Sequence, residues 1–157
     1  MFAVQIERRR MIRDIGLFVL LIPCGICDLR TRLVPVWYTG IFAGLSVLYH
    51  ILFTPEMLTQ MAAGAVMGMV FILISRVSKG ALGMGDAAVI TALGVWCGVR
   101  DGFPLVLFAF ILSGIFGGIW MLIRKKNRRD SLPFVPFLLL SAAVSCVISI
   151  CGGTWSL

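Results

Sequence analysis

Six apolar runs, each near the length of a lipid bilayer and separated by short polar breaks, limit what this chain can become. They fall at about 12–29, 36–53, 57–75, 82–99, 103–123 and 134–151. A helix needs about 20 apolar residues to cross the hydrocarbon layer. No segment alternates apolar and polar residues with period two over ~10 residues, as a membrane strand would. The runs therefore predict an all-α polytopic membrane protein, a single bundle of about six helices with no separate soluble domain. Composition agrees: 60% of the 157 residues are hydrophobic and 13% charged, with mean hydropathy +1.03, whereas soluble domains carry about 25% charge. The net charge of +7 reads as membrane orientation and contact with anionic lipid, not nucleic acid.

The breaks are chemically distinct. The first run follows Arg8, Arg9, Arg10 and Arg13, a layout shared with signal peptides. Pro23 in Leu21-Ile22-Pro23-Cys24 takes the place where a lipoprotein cleavage box wants a small residue, so the run is expected to stay as a spanning helix. Val34-Pro35 ends it, Thr54-Pro55-Glu56 makes the next turn, and Arg100-Asp101-Gly102 before Pro104 is expected to make the fourth. Loops one, three and five carry nine of the fourteen basic residues, from Arg30, Arg32, Arg76 and Lys79 to the run 124–129. The positive-inside rule puts that face in the cytoplasm. A start at Met11 would remove three arginines from the other side and widen the margin.

Gly40/Gly44, Gly64/Gly68, Gly94/Gly98 and Gly114/Gly118 have the spacing that lets helices approach closely in lipid. The five cysteines lie in apolar runs and read as small buried residues; Cys24-x-x-Cys27 has no second pair or nearby His to complete a metal site. The single His50, near the outer end of the second run, reads as packed or interfacial, and no Ser-His-Asp set is available.

The seven acids sort by side. Glu7, Asp14, Glu56 and Asp101 belong to the outer face. Asp130 adjoins Arg128 and Arg129 and reads as a solvated ion pair. Asp28 and Asp86 remain, each near the cytoplasmic end of an apolar run, and they form the one pair able to meet. Asp14 stands about 21 Å from Asp28 along a helix, too far to share its site. An acid in a membrane segment is expensive and marks function by default. Two adjacent carboxylates share a proton, which suits amide hydrolysis: one takes a proton from water while the other polarises the carbonyl. The residues alone leave two further readings open, capped interfacial acids and a small proton-coupled carrier.

Asp28 with Arg30, Arg32 and Val34-Pro35, followed by Gly83-Met84-Gly85-Asp86, resembles the type IV prepilin peptidases, membrane aspartic proteases of the GxGD class. The likeness continues through Ala92, Leu93, Gly94 and Gly98 to Pro133-Phe134-Val135-Pro136-Phe137. It implies that Asp28 and Asp86 are catalytic, that Gly83 and Gly85 shape the site's backbone, and that Arg30, Arg32, Lys79, Pro133 and Pro136 support the pair or the substrate. It further implies a bacterial inner-membrane enzyme with its site facing the cytoplasm. The partner would be a prepilin or pseudopilin precursor, whose short basic leader ends in Gly before an apolar helix. Water is the nucleophile, with no cofactor and no metal. The short first loop resembles the peptidase-only form, without the methyltransferase domain. Two positions depart from the family: Ala88 stands where Lys is usual and Val36 where Asn is usual. A divergent non-catalytic relative acting in pilus assembly is the alternative these departures raise.

Overall fold

The computed structural model describes residues 2–31, 33–77, 83–124 and 133–150. Five helical elements follow one another: α1 Phe2–Thr31, α2 Val36–Phe53, α3 Leu58–Val77, α4 Met84–Arg124 and α5 Val135–Ile150, with one 3-10 turn at Pro55–Met57 between α2 and α3. Among the described residues there is no strand. Three stretches are long and apolar enough to cross a membrane, Val36–Phe53, Pro55–Val77 and Met84–Trp120, and Val135–Ser149 is a shorter apolar helix. α1 starts well before the expected residue 12 and carries Arg13 and Asp14 toward one end, Asp28 and Arg30 toward the other.

α4 is two arms. Gly98 sits at φ 74°, ψ 172° inside it, a region that L side chains rarely adopt. A Cβ at Gly98 would also stand 2.9 Å from the Cβ of Gln60. Beyond the break the chain doubles back, so that a Cβ on Gly102 would lie 3.1 Å from Leu93 Cδ2 and 3.7 Å from Gly94 Cα. The expected turn at Arg100-Asp101-Gly102 is therefore corrected: those residues are helical, and the reversal is at Gly98. The six-rod bundle stands, with its fourth and fifth rods running 84–97 and 99–124.

The core explains the layout. α1 buries Leu17, Leu20, Leu21 and Cys24, the i, i+3, i+4, i+7 stripe of one helix face. That stripe packs on Ile90 and Leu93 of the first α4 arm, Val106 of the second, and Val135 and Leu138 of α5. α3 is held differently. A Cβ on Gly64 would fall 1.9 Å from the Gly94 carbonyl oxygen, and one on Gly68 2.4 Å from Thr91 Cα, so α3 and α4 touch backbone to backbone. The Gly40/Gly44 and Gly114/Gly118 pairs behave otherwise. Nothing lies within 4 Å of their would-be Cβ atoms, and the expectation of close packing is corrected there. Spacing marks a small-residue face without saying whether a neighbour meets it.

Two hydrogen bonds repair helix backbone that the sequence disrupts. Pro23 lies inside α1 and has no N–H to give the Val19 carbonyl, four residues back. Tyr38 Oη donates to that carbonyl at 2.6 Å, tying α2 to α1. Tyr38→Phe is expected to cost about 1–2 kcal/mol, read as a fall in thermal stability in detergent. The penalty should shrink in a Pro23→Ala background, where the helix restores its own bond.

The Trp96 carbonyl is similarly stranded, because its helical partner would lie past the Gly98 break. His50 Nε2 donates to it at 3.1 Å, and Nδ1 lies 2.7 Å from Thr54 Oγ1. His50 is buried, in keeping with a packed histidine. Gly16 leaves the slot for the Trp96 indole, whose Nε1–H donates to the Arg13 carbonyl at 2.8 Å. At this same end Arg13 bonds Asp101 at 2.6 Å and Asp14 at 3.0 Å, and Arg9 pairs with Glu56. Three of the acids assigned to the outer face, Asp14, Glu56 and Asp101, thus gather at one end of the bundle. Glu7's side chain, Asp130 and Cys151 lie outside the described residues.

Candidate active site

Asp28 and Asp86 stand at the opposite end, each continuing a buried stripe. Asp28 follows Cys24 by one turn on the α1 face that forms the core, and is only 5% exposed. Asp86 precedes Ile90 by one turn on α4 and is half-buried. Because these faces pack on each other, Asp28 and Asp86 lie at the same end of the bundle, within electrostatic reach of one another.

The glycines of Gly83-Met84-Gly85-Asp86 have separate steric tasks. Gly83 caps α4: its carbonyl accepts from Ala87 N–H at 3.1 Å, and the Asp86 carboxylate turns back beside its backbone. An acid at the third helical position turned back toward the cap has the layout of half a capping box, and the helix dipole favours it there. A Cβ at Gly83 would sit 2.8 Å from Asp86 Oδ2. At Gly85 a Cβ would meet Val34 Cβ at 2.7 Å. Gly85 thus lets the α1–α2 connection lie directly against the start of α4, which carries the end of α1 toward Asp86. Gly85→Val is expected to cut any activity of the pair about tenfold, with partial recovery in Gly85→Val/Val34→Ala, measured on samples of matched helix content.

α5 supplies a contact that no spacing announces. Val135 N–H, at the first turn of α5, donates to Asp28 Oδ2 at 3.1 Å. Phe137 and Leu138 N–H both return to the Phe134 carbonyl, and Pro136 has none to offer. Val135 is accordingly the donor this helix start presents to the carboxylate. The available signal was Pro136 itself, a residue favoured in the first helical turn. Pro133 lies just ahead of that turn, half-buried.

Arg30 is exposed at the end of α1. Arg32 and Lys79 lie outside the described residues. Ala88, two residues past Asp86, leaves the helix about 200° round from it. A side chain there points away from the pair's face, so the missing lysine is not a missing first neighbour of Asp86. Val36 opens α2 and is exposed. Among the described residues, no three His, Cys, Asp or Glu group to hold a metal ion.

The Type IV leader peptidase family profile matches residues 15–122, a stretch containing both carboxylates and the glycine motif. The chain belongs to the type IV leader peptidase family. Among its relatives, the Prepilin leader peptidase/N-methyltransferase of Dickeya chrysanthemi is 32% identical over 149 residues, 90% of this chain and 50% of the relative. Leader peptidase HopD of Salmonella typhimurium is 36% identical over 131 residues, 77% of this chain and 83% of the relative. A Prepilin leader peptidase/N-methyltransferase of Xanthomonas campestris pv. campestris is 32% identical over 66 residues, 42% of this chain and 23% of the relative. The chain thus spans half or less of the two N-methyltransferase relatives and most of the third. No solved structure matches it. Family membership and the apolar helices together make this an integral membrane protein.

Proposed function

We propose that this protein is a membrane aspartic endopeptidase of the GxGD class that removes the leader from prepilin or pseudopilin precursors. The observation that carries the reading is the convergence of Asp28 and Asp86, from distant parts of the chain, at one end of the bundle. Membership of the leader peptidase family supplies the substrate class. In this reading the ionised member of the pair takes a proton from a water molecule, whose oxygen attacks the scissile carbonyl. The protonated member donates to the carbonyl oxygen and stabilises the charge that develops there. Collapse of the tetrahedral intermediate breaks the C–N bond, and a proton from the pair passes to the leaving amine. Val135 N–H fixes the Asp28 carboxylate, and the start of α4 at Gly83 holds Asp86 close beside it.

The excess of basic residues in the loops at this end supports a cytoplasm-facing site in a bacterial inner membrane. The same positive charge suits an anionic headgroup layer. Substrate selection then rests on the apolar helix after the leader, which can lie in the bilayer beside the pair.

The test is purified full-length protein, reconstituted in lipid and incubated with a synthetic precursor bearing a basic leader, a terminal leader Gly and an apolar helix. Mass spectrometry should show two products that meet after the glycine. An intact precursor, from a sample with native helix content, contradicts the reading. Ion flux in liposomes alongside intact precursor would point to a carrier instead.

A further inference from the structure

The end of the bundle opposite Asp28 and Asp86 holds a cavity of about 540 Å³, within the range of small-molecule sites. Three features meet there: the early turns of α1, the α2–α3 turn and the Gly98 break. Its floor is apolar, with Leu17, Met61 and Leu105, and its wall carries Arg9, Arg10, Arg13 and Arg100. Arg13 is matched by Asp14 and Asp101, and Arg9 by Glu56. Arg10 and Arg100 have no carboxylate partner among the described residues, and Arg10 is partly buried. Gln60 also lines the cavity, and its Oε1 is buried with no hydrogen-bond partner.

We propose that this cavity binds a phosphate-ester anion that also carries a hydroxyl, either the headgroup of an anionic phospholipid or a free glycerol phosphate. Two guanidiniums with no carboxylate partner among the described residues, at a part-apolar cavity, are matched by a phosphate, which accepts in bidentate fashion. A buried amide oxygen without a donor is matched by a hydroxyl. The depth is right for a lipid. The 30 residues of α1 extend about 45 Å against a hydrocarbon layer of about 30 Å, so its early turns reach the headgroup layer. The apolar floor would receive the glycerol backbone and the first methylenes of an acyl chain. Occupancy would pin α1 to the α2–α3 turn and to the second arm of α4, around the Trp96 and His50 contacts.

The test uses the full chain, purified and delipidated in neutral detergent, with dioleoyl phosphatidylglycerol, dioleoyl phosphatidylcholine and glycerol 3-phosphate as probes. Native mass spectrometry should show phosphatidylglycerol retained at least about tenfold more than phosphatidylcholine, whose own ammonium offsets its phosphate. Thermal unfolding should rise by several degrees with the same lipid. Arg10→Gln/Arg100→Gln should abolish the preference, while Arg10→Lys/Arg100→Lys keeps most of it and Arg8→Gln/Arg76→Gln leaves it intact. Equal stabilisation by glycerol 3-phosphate would assign the site to a soluble anion, and stabilisation by the lipid alone to the membrane. No preference among the three probes, or a preference unchanged in Arg10→Gln/Arg100→Gln, overturns the proposal.

Discussion

Asp28→Asn and Asp86→Asn should each lower leader cleavage by about a thousandfold or more while leaving the protein folded. General acid–base groups contribute about 10²–10⁴-fold, and a thousandfold corresponds to about 4 kcal/mol of barrier. An amide cannot take a proton from water or give one to the leaving amine. It can still accept from Val135 N–H at position 28 and still turn back beside Gly83 at position 86, so the local packing survives the change. In the proposed mechanism the carboxylates act as a unit, so the double variant should be little worse than either single one. The readout is single-turnover cleavage of a synthetic precursor, with thermal unfolding measured on the same samples. A merely capping role for Asp86 predicts a small stability loss and unimpaired cleavage, and that pattern would refute the proposed chemistry.

Gly64→Leu should be the most damaging substitution in the bundle outside the carboxylates. Its Cβ alone would sit 1.9 Å from the Gly94 oxygen and 2.5 Å from the Gly94 carbonyl carbon. The obstacle is helix backbone, so no rotamer change relieves it and α3 must move off α4. Overpacking typically costs about 1–3 kcal/mol, occasionally more, and here the loss includes the close contact that holds α3. In lipid such packing is a main force between helices. At about 2–4 °C per kcal/mol, a 3 kcal/mol loss lowers Tm by about 6–12 °C. Gly114→Leu and Gly40→Leu place their Cβ atoms where nothing lies within 4 Å, and their Tm should change little. Equal stability of Gly64→Leu and Gly114→Leu would show that the α3–α4 contact carries no such load.

Much of this was legible in the sequence, for a simple reason. Bilayer thickness sets the length of an apolar run, and short breaks punctuate the runs, so α2 falls at 36–53 as expected. The placement of Asp28 and Asp86 at one end was readable because lipid makes acids rare, and sorting the few present by side leaves these two together. The Gly98 reversal was not readable. Arg100-Asp101-Gly102 with Pro104 has the composition of a turn, yet Asp101 is engaged by Arg13 of α1 and Gly102 packs on Leu93. The deciding property is a positive φ at a glycine embedded in an apolar run, and composition does not report it.

Backbone contacts were hidden for a similar reason. Nothing in Val135 as a residue type announces that its N–H meets Asp28, and nothing in Tyr38 announces a bond to the carbonyl that Pro23 leaves free. Both depend on how helices pack. The glycine pairs show the same limit from the other side, since identical spacing is filled at Gly64/Gly68 and open at Gly114/Gly118.

The most direct measurement is a thiol cross-link between positions 28 and 86. Asp28→Cys/Asp86→Cys would be made in a chain whose five native cysteines are replaced by Ala or Ser, with a protease site placed in the 54–57 turn. Copper-phenanthroline or a short bifunctional reagent should hold the two proteolytic fragments together on a denaturing gel, since a disulfide needs Cα atoms within about 7 Å. Val34→Cys/Gly85→Cys, where a Cβ on Gly85 would meet the Val34 Cβ at 2.7 Å, serves as the positive control. Linked fragments for positions 28 and 86 are the expected result. Fragments that separate while the control pair stays joined would contradict a shared carboxylate site.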